Sequence, residues 1–82
     1  MPTVLTIHGL RVVIYPNDHR PAHVHVIGPD GEAVFNLQCP EGPPALRESF
    51  GFTVARLNSI AARLAVALDA LCNEWRQIHG DH

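Results

Sequence analysis

The fold is decided by a stretch that predicts strand, turn and strand, AHVHVIGPDGEAVFNLQ at residues 22–38. Its first strand alternates imidazole and valine side chains at His23, Val24, His25 and Val26. Residues two apart in a strand lie on the same face of a sheet. Both imidazoles are therefore predicted on one face, and both valines on the opposite face, towards the core.

The turn between these strands is predicted at residues 28–31, because glycine, proline and aspartate favour turns. A turn of four residues fixes the register of the hairpin. It places Val24 opposite Phe35 on the core side. On the other side it places His23 opposite Asn36. The remaining expected pairs are Val26 with Ala33, His25 with Val34, and Ile27 with Glu32.

An upstream hairpin is predicted from two β-branched runs, residues 3–7 and 11–15, which flank His8 and Gly9. A loop bounded by prolines, residues 16–21, joins it to the second hairpin. With His8 and Gly9 as the turn, the expected pairs are Ile7 with Leu10 and Leu5 with Val12.

The strongest periodic signal lies in residues 53–79, where apolar residues recur at alternating spacings of four and three. Thr53 is a suitable N-cap, and Gly80 is expected to end the helix. A single helix of this length would be about 40 Å long, whereas a compact domain of this size has a radius of gyration of about 12 Å. The helix must therefore overhang the sheet or break. The stripe consists of Leu57, Ala61, Leu64, Leu68, Leu71, Trp75 and Ile78.

These elements predict an α+β fold in a single domain, residues 1–82. A four-stranded antiparallel sheet, made of two hairpins, is followed by one long C-terminal helix packed on one face. Residues 39–51, rich in proline and glycine, are expected to form a long loop between sheet and helix. Since one helix covers only one face, the histidine face is predicted to be uncovered.

Composition limits the classes of function. The net charge is −2 and the chain has no lysine, which argues against non-specific binding to a nucleic-acid backbone. No apolar run approaches the ~20 residues of a membrane span, and no signal peptide is recognised, so a cytoplasmic protein is expected. Cys39 and Cys72 are expected to be reduced thiols, because small disulfide scaffolds usually carry more cysteines.

The histidines suggest a metal site. His19, His23 and His25 could supply three nitrogen ligands to Zn²⁺ or another transition metal. An oxygen ligand could come from Asp18, Glu32 or Asn36.

The same histidines also suggest acid–base catalysis without a metal. One imidazole, His23 or His25, could accept a proton while the other donates one, as RNA cleavage at the 2′-hydroxyl requires. A cation would be needed for the phosphate. Candidates for it are Arg20, Arg11 and Arg47, supplemented by Tyr15.

A structural role is the third interpretation. His23 could simply form a hydrogen bond across the strands to Asn36. His79 and His82 are expected to belong to a solvated tail, and Trp75 to pack in the core or an interface.

Beyond these patterns, the chain carries a recognisable set of residues, concentrated around the histidines. The set comprises Pro2 to Leu5, Gly9, Arg11, Tyr15, Asn17 to Pro21 and the run His23-Val24-His25-Val26. With these residues the chain resembles a family of small bacterial proteins known as domain of unknown function 4160. The resemblance covers nearly the whole chain, and the His-Val-His-Val run is its specific part.

The resemblance implies a cytosolic bacterial protein with a small protein partner, because members of this family are similar to components of two-gene toxin–antitoxin-like cassettes. The chain departs from the family pattern at three places. Ala22 replaces a typical proline, Arg56 replaces a typical acidic residue, and residues 40–44 are unusually rich in proline.

Two functions are expected from these observations. The first is a component of a toxin–antitoxin-like module whose histidine-lined face acts on RNA, with His23, His25 and Arg20 as catalytic residues. The second is a non-enzymatic module that binds a metal or a protein partner. A second copy or a small partner protein is expected to bind through the C-terminal helix. The residues leave open whether the protein is an enzyme.

Overall fold

In the computed structural model, which describes residues 3–80, an antiparallel sheet of five strands precedes two helices. The strands lie side by side in chain order. The elements are β1 (Thr3–Ile7), β2 (Leu10–Val13), β3 (His23–Ile27), β4 (Glu32–Asn36), β5 (Ala45–Phe50), α1 (Val54–Val66) and α2 (Leu68–His79).

Both predicted hairpins are confirmed with their registers. His8 and Gly9 have positive φ angles of 50° and 81°, as a two-residue turn between antiparallel strands requires. His23 lies opposite Asn36, and Val24 lies opposite Phe35. The pairs Ile7 with Leu10 and Leu5 with Val12 are also present.

The hydrophobic core lies between the valine face of the sheet and the two helices. Val24 and Val26 are fully buried, together with Phe35 of β4. Ile60 of α1 and Trp75 of α2 belong to the same buried cluster. The alternation along β3 therefore assigns one face to the core and leaves the other for the imidazoles.

The prediction of a loop over residues 39–51 is wrong, because this segment contains β5. Its sequence, ALRESF, includes the good helix formers Ala45 and Leu46 and lacks the alternation of a half-buried strand. Among the strands within residues 3–80, β5 lies at the edge of the sheet and pairs only with β4, and Phe50 is 69% exposed. Pairing with β4, rather than local preference, determines its conformation.

The prediction of one long helix is also wrong, because the chain forms two helices. Of the two alternatives, an overhanging helix or a break, the structure has the break, between α1 and α2. Ala67 separates them, and its N–H group approaches the carbonyls of both Arg63 and Leu64. The break keeps the molecule within 33 Å along its longest axis. The predicted ends are confirmed, with Thr53 accepting a hydrogen bond from the Arg56 N–H and Gly80 following α2. Within residues 3–80, neither helix is long and apolar enough to cross a membrane.

The prediction of two reduced cysteines is wrong, because Cys39 and Cys72 form a disulfide. Cys39 follows β4, and Cys72 lies on the buried side of α2. Their Cα atoms are 5.9 Å apart although 33 positions separate them in sequence. Their proximity depends on the tertiary packing of α2, which the spacing of two cysteines does not reveal.

Removal of this disulfide is expected to destabilise the protein. For a sequence separation of 33 positions, the loss of this cross-link is expected to lower the free energy of unfolding by about 3–4 kcal/mol through loop-closure entropy. Urea unfolding of the full chain, with and without a dithiol reductant, measures the difference. The Cys39→Ser/Cys72→Ser variant is expected to unfold like the reduced protein. Equal midpoints for oxidised and reduced protein would contradict this prediction.

Candidate metal centre

Three side chains from the β2–β3 loop and β3 converge at one end of the sheet. They are Asp18, His23 and His25, and one ligand atom from each lies within 4.8 Å of the others. All three are largely shielded from solvent, with side-chain exposures of 12%, 7% and 18% respectively. A carboxylate and two imidazoles form a donor set that suits a divalent transition metal.

Asp18 is held in place by the turn that follows β2. Its Oδ2 accepts a hydrogen bond of 3.0 Å from the Tyr15 N–H. Its own N–H donates to the Tyr15 carbonyl, also at 3.0 Å. Since Tyr15 engages Oδ2, the turn directs Oδ1 towards the imidazoles. This oxygen lies 3.2 Å from His25 Nε2 and 3.6 Å from His23 Nε2.

The ring of His23 is oriented by a second contact. Its Nδ1 lies 2.8 Å from the Pro21 carbonyl oxygen, which can only accept, so Nδ1 carries a hydrogen and donates it. In the neutral ring, Nε2 is then an acceptor that faces another acceptor, Asp18 Oδ1. The lone pair of Nε2 is therefore available to a metal ion. His25 Nε2, which lies 3.2 Å from the same carboxylate oxygen, donates a hydrogen bond to it when that nitrogen carries the ring hydrogen. A ring N–H bound to a backbone carbonyl is typical of histidines that ligate metals.

The histidine face is not uncovered as predicted, because α2 reaches across the end of the sheet. Trp75 is fully buried, and its ring centroid lies 5.3 Å from that of His23. His79 stacks on Trp75 at 4.1 Å, and its Nε2 lies 3.2 Å from the Tyr15 carbonyl. His79 is therefore not part of a solvated tail, whereas His82 lies outside the described residues. The ring of Tyr15 packs edge-on against that of His25, with a centroid distance of 4.9 Å.

A comparison with family profiles gives one result. The profile described as a domain of unknown function (DUF4160) matches residues 9–76. The chain belongs to the DUF4160 family. No curated protein and no solved structure gives a significant match. The DUF4160 match includes the converging side chains and Trp75 but ends before His79.

Two of the predicted site residues stand apart from the three converging side chains. His19 and Arg20 are both exposed in the loop between Asp18 and β3, and neither belongs to the group of potential ligands found within residues 3–80. Of the three oxygen donors considered from the sequence, Asp18 joins the imidazoles. The sequence signal for it was the Asn17-Asp18 turn, because aspartate commonly bonds to backbone N–H groups in turns.

Asn36 lies beside His23 but does not form the expected hydrogen bond with it. The two residues are directly opposite each other on β3 and β4. His23 instead uses Nδ1 for Pro21. The side-chain oxygen of Asn36 is buried and has no hydrogen-bond partner among residues 3–80.

Truncation of Trp75 is expected to destabilise the fold at this site. Because its side chain is fully buried, Trp75→Ala should lower the free energy of unfolding by about 3–5 kcal/mol. Val66→Ala, at a position on α1 that is 87% exposed, is the control, with an expected change within about 0.5 kcal/mol. Chemical denaturation followed by circular dichroism measures both. Similar decreases in the free energy of unfolding for the two variants would contradict the stabilising role that the burial of Trp75 implies.

Proposed function

We propose that this protein is a binding module for one divalent transition-metal ion, with Asp18, His23 and His25 as ligands. The observation that carries the proposal is the convergence of three electron-pair donors on one point, with Asp18 Oδ1 at 3.2 and 3.6 Å from the two Nε2 atoms. On binding, a metal ion would replace the hydrogen between His25 Nε2 and Asp18 Oδ1 and would accept electron pairs from all three atoms.

The contacts behind the three side chains support this proposal. The Pro21 carbonyl orients the ring of His23, and the Tyr15 N–H orients the carboxylate of Asp18. Outer contacts of this kind fix ligand direction and ring tautomer, and they are a regular part of protein metal sites. The ring of Trp75 limits access of water to His23.

Acid–base catalysis on RNA receives less support from the same geometry. That reaction needs two imidazoles that reach the substrate, and the His23 side chain is only 7% exposed. The net charge of −2 also disfavours a polyanionic ligand.

Metal binding can be tested on untagged protein by isothermal titration with Zn²⁺. The expected result is one ion bound per chain. Asp18→Asn, His23→Ala and His25→Ala are each expected to weaken binding by at least about tenfold, because each removes or weakens a ligand. His19→Ala is the matched control, since His19 lies in the same loop and is exposed.

Two results would refute the proposed site. One is the absence of any Zn²⁺ binding by the wild-type protein. The other is a loss of affinity in His19→Ala as large as that in His25→Ala. Circular dichroism of every variant would separate loss of ligands from loss of fold.

The second candidate function is an RNA-acting component of a bacterial toxin–antitoxin-like module. Besides the resemblance to such components, one contact favours it. Asp18 lies 3.2 Å from His25, the more exposed of the two imidazoles. In this arrangement the carboxylate would orient His25 as a general base. In this role the protein would bind a small partner protein, and exposed apolar side chains of the helices, Val54, Val66 and Ile78, are candidates for that contact.

The second candidate predicts growth arrest when the protein is expressed without its partner. The His23→Ala/His25→Ala double variant should abolish the arrest, because both imidazoles would be required for proton transfer. His8→Ala is the control, at an exposed turn of the sheet. Full arrest by the folded double variant would exclude catalysis by these histidines.

A further inference from the structure

Asn36 carries a buried side-chain acceptor that has no hydrogen-bond partner in the described part of the chain. Its Oδ1 has almost no exposed surface and no hydrogen bond within residues 3–80. Buried polar atoms in folded proteins nearly always have a partner, because an unpaired one costs free energy. An amide oxygen in this state indicates that a cation or a hydrogen-bond donor belongs beside it.

The register places Asn36 next to His23, one of the three converging side chains. Asn36 lies directly opposite His23, and residues in such positions have Cβ atoms about 4.5–5.5 Å apart. His25, which is opposite Val34, lies on the same face of the sheet. A metal ion bound to Nε2 of His23 is therefore within reach of the Asn36 amide.

We infer that Asn36 Oδ1 is the fourth protein ligand of the metal, and that the site is structural. This inference rests on the proposed metal binding by Asp18, His23 and His25. With Asn36 the donor set becomes two imidazole nitrogens, one carboxylate oxygen and one amide oxygen. Imidazole nitrogens together with hard oxygens favour a divalent ion such as Zn²⁺ over a soft monovalent ion such as Cu⁺.

A set of four protein donors distinguishes this site from a catalytic one. Catalytic zinc sites keep a coordination position open for water or substrate, whereas structural sites are closed by four protein ligands. The four donors here belong to the β2–β3 loop, β3 and β4. A metal bound by them would tie the loop to two central strands, so metal binding and folding would be coupled.

The inference can be tested on the full-length untagged chain with Co²⁺ as a spectroscopic probe and Zn²⁺ as a competitor. The wild-type Co²⁺ protein is expected to show the intense visible absorption of a four-coordinate ion. Asn36→Ala should weaken Zn²⁺ affinity roughly ten- to hundredfold and alter the Co²⁺ spectrum. Asn36→Asp, which keeps an oxygen in the same position, should retain tight binding. Asn58→Ala, an exposed position on α1, is the matched control and should equal wild type.

Thermal unfolding gives an independent readout of the structural role. Zn²⁺ should raise the melting temperature of wild type and of Asn36→Asp, and raise that of Asn36→Ala less at the same concentration. Equal affinity and equal spectra for Asn36→Ala and wild type would overturn the inference while the proposed three-ligand site stands. A five- or six-coordinate Co²⁺ spectrum in wild type would overturn the closed site. Absence of metal binding by wild type would refute the proposed function itself.

Discussion

The alternation of imidazole and valine along β3 is the constraint on which the rest of the structure depends. Because side chains of a strand point alternately to its two faces, Val24 and Val26 can enter the core only if His23 and His25 face away from it. The valines are fully buried against the helices. A shift of one residue in register would exchange the two sets and bury both imidazoles in an apolar core. The fold thus fixes the position of the histidines before any ligand is considered.

The loop before β3 converts this pair of imidazoles into a site. Its turn holds Asp18 through two contacts with Tyr15 and directs one carboxylate oxygen at both rings. The Pro21 carbonyl accepts a hydrogen bond from the single N–H group of the neutral His23 ring. The other ring nitrogen, Nε2, then faces the carboxylate of Asp18. His25 Nε2 lies within hydrogen-bond distance of the same oxygen and gives up its hydrogen when a metal binds. The three atoms then direct electron pairs at one point, and this arrangement connects the geometry to metal binding.

The rear of the site is formed by α2, which the disulfide attaches to the end of the sheet. Cys72 is bonded to Cys39, three positions beyond Asn36. One turn further along α2, Trp75 packs on His23, and another turn brings His79 to the Tyr15 carbonyl. The helix that completes the hydrophobic core therefore also shields the imidazoles. Because the function of the DUF4160 family is unknown, membership of it assigns no activity to the chain, and the proposed function rests on the side chains of the site.

Local patterns predicted the parts of the fold that local forces determine. The turns at His8-Gly9 and residues 28–31 fixed both registers, and Thr53 marked the start of α1. The strand β5 was not predicted, because its conformation depends on pairing with β4 and not on the local sequence. A break in the C-terminal helix was one of two alternatives, but its position at Ala67 was not predicted, because no glycine or proline marks it.

The candidate site was predictable to a similar extent. Strand periodicity brought His23 and His25 together, and Asp18 was among the oxygen donors considered. The choice of Asp18 over His19 depends on the turn geometry of the loop, and the disulfide and the cover by Trp75 depend on how α2 packs. The disulfide and the cover by Trp75 are tertiary contacts between segments distant in sequence, which residue spacing alone does not encode. The contacts of Asp18 with Tyr15 are local, but the direction of the carboxylate depends on the detailed turn geometry.

The most direct test is the position of a metal in crystals of the untagged protein grown with Zn²⁺, located by anomalous scattering at the zinc absorption edge. We expect one peak per chain at about 2.0–2.2 Å from Asp18 Oδ1, His23 Nε2 and His25 Nε2. A structure with no anomalous peak between these three atoms, or with the zinc bound elsewhere on the chain, would contradict the proposed metal centre.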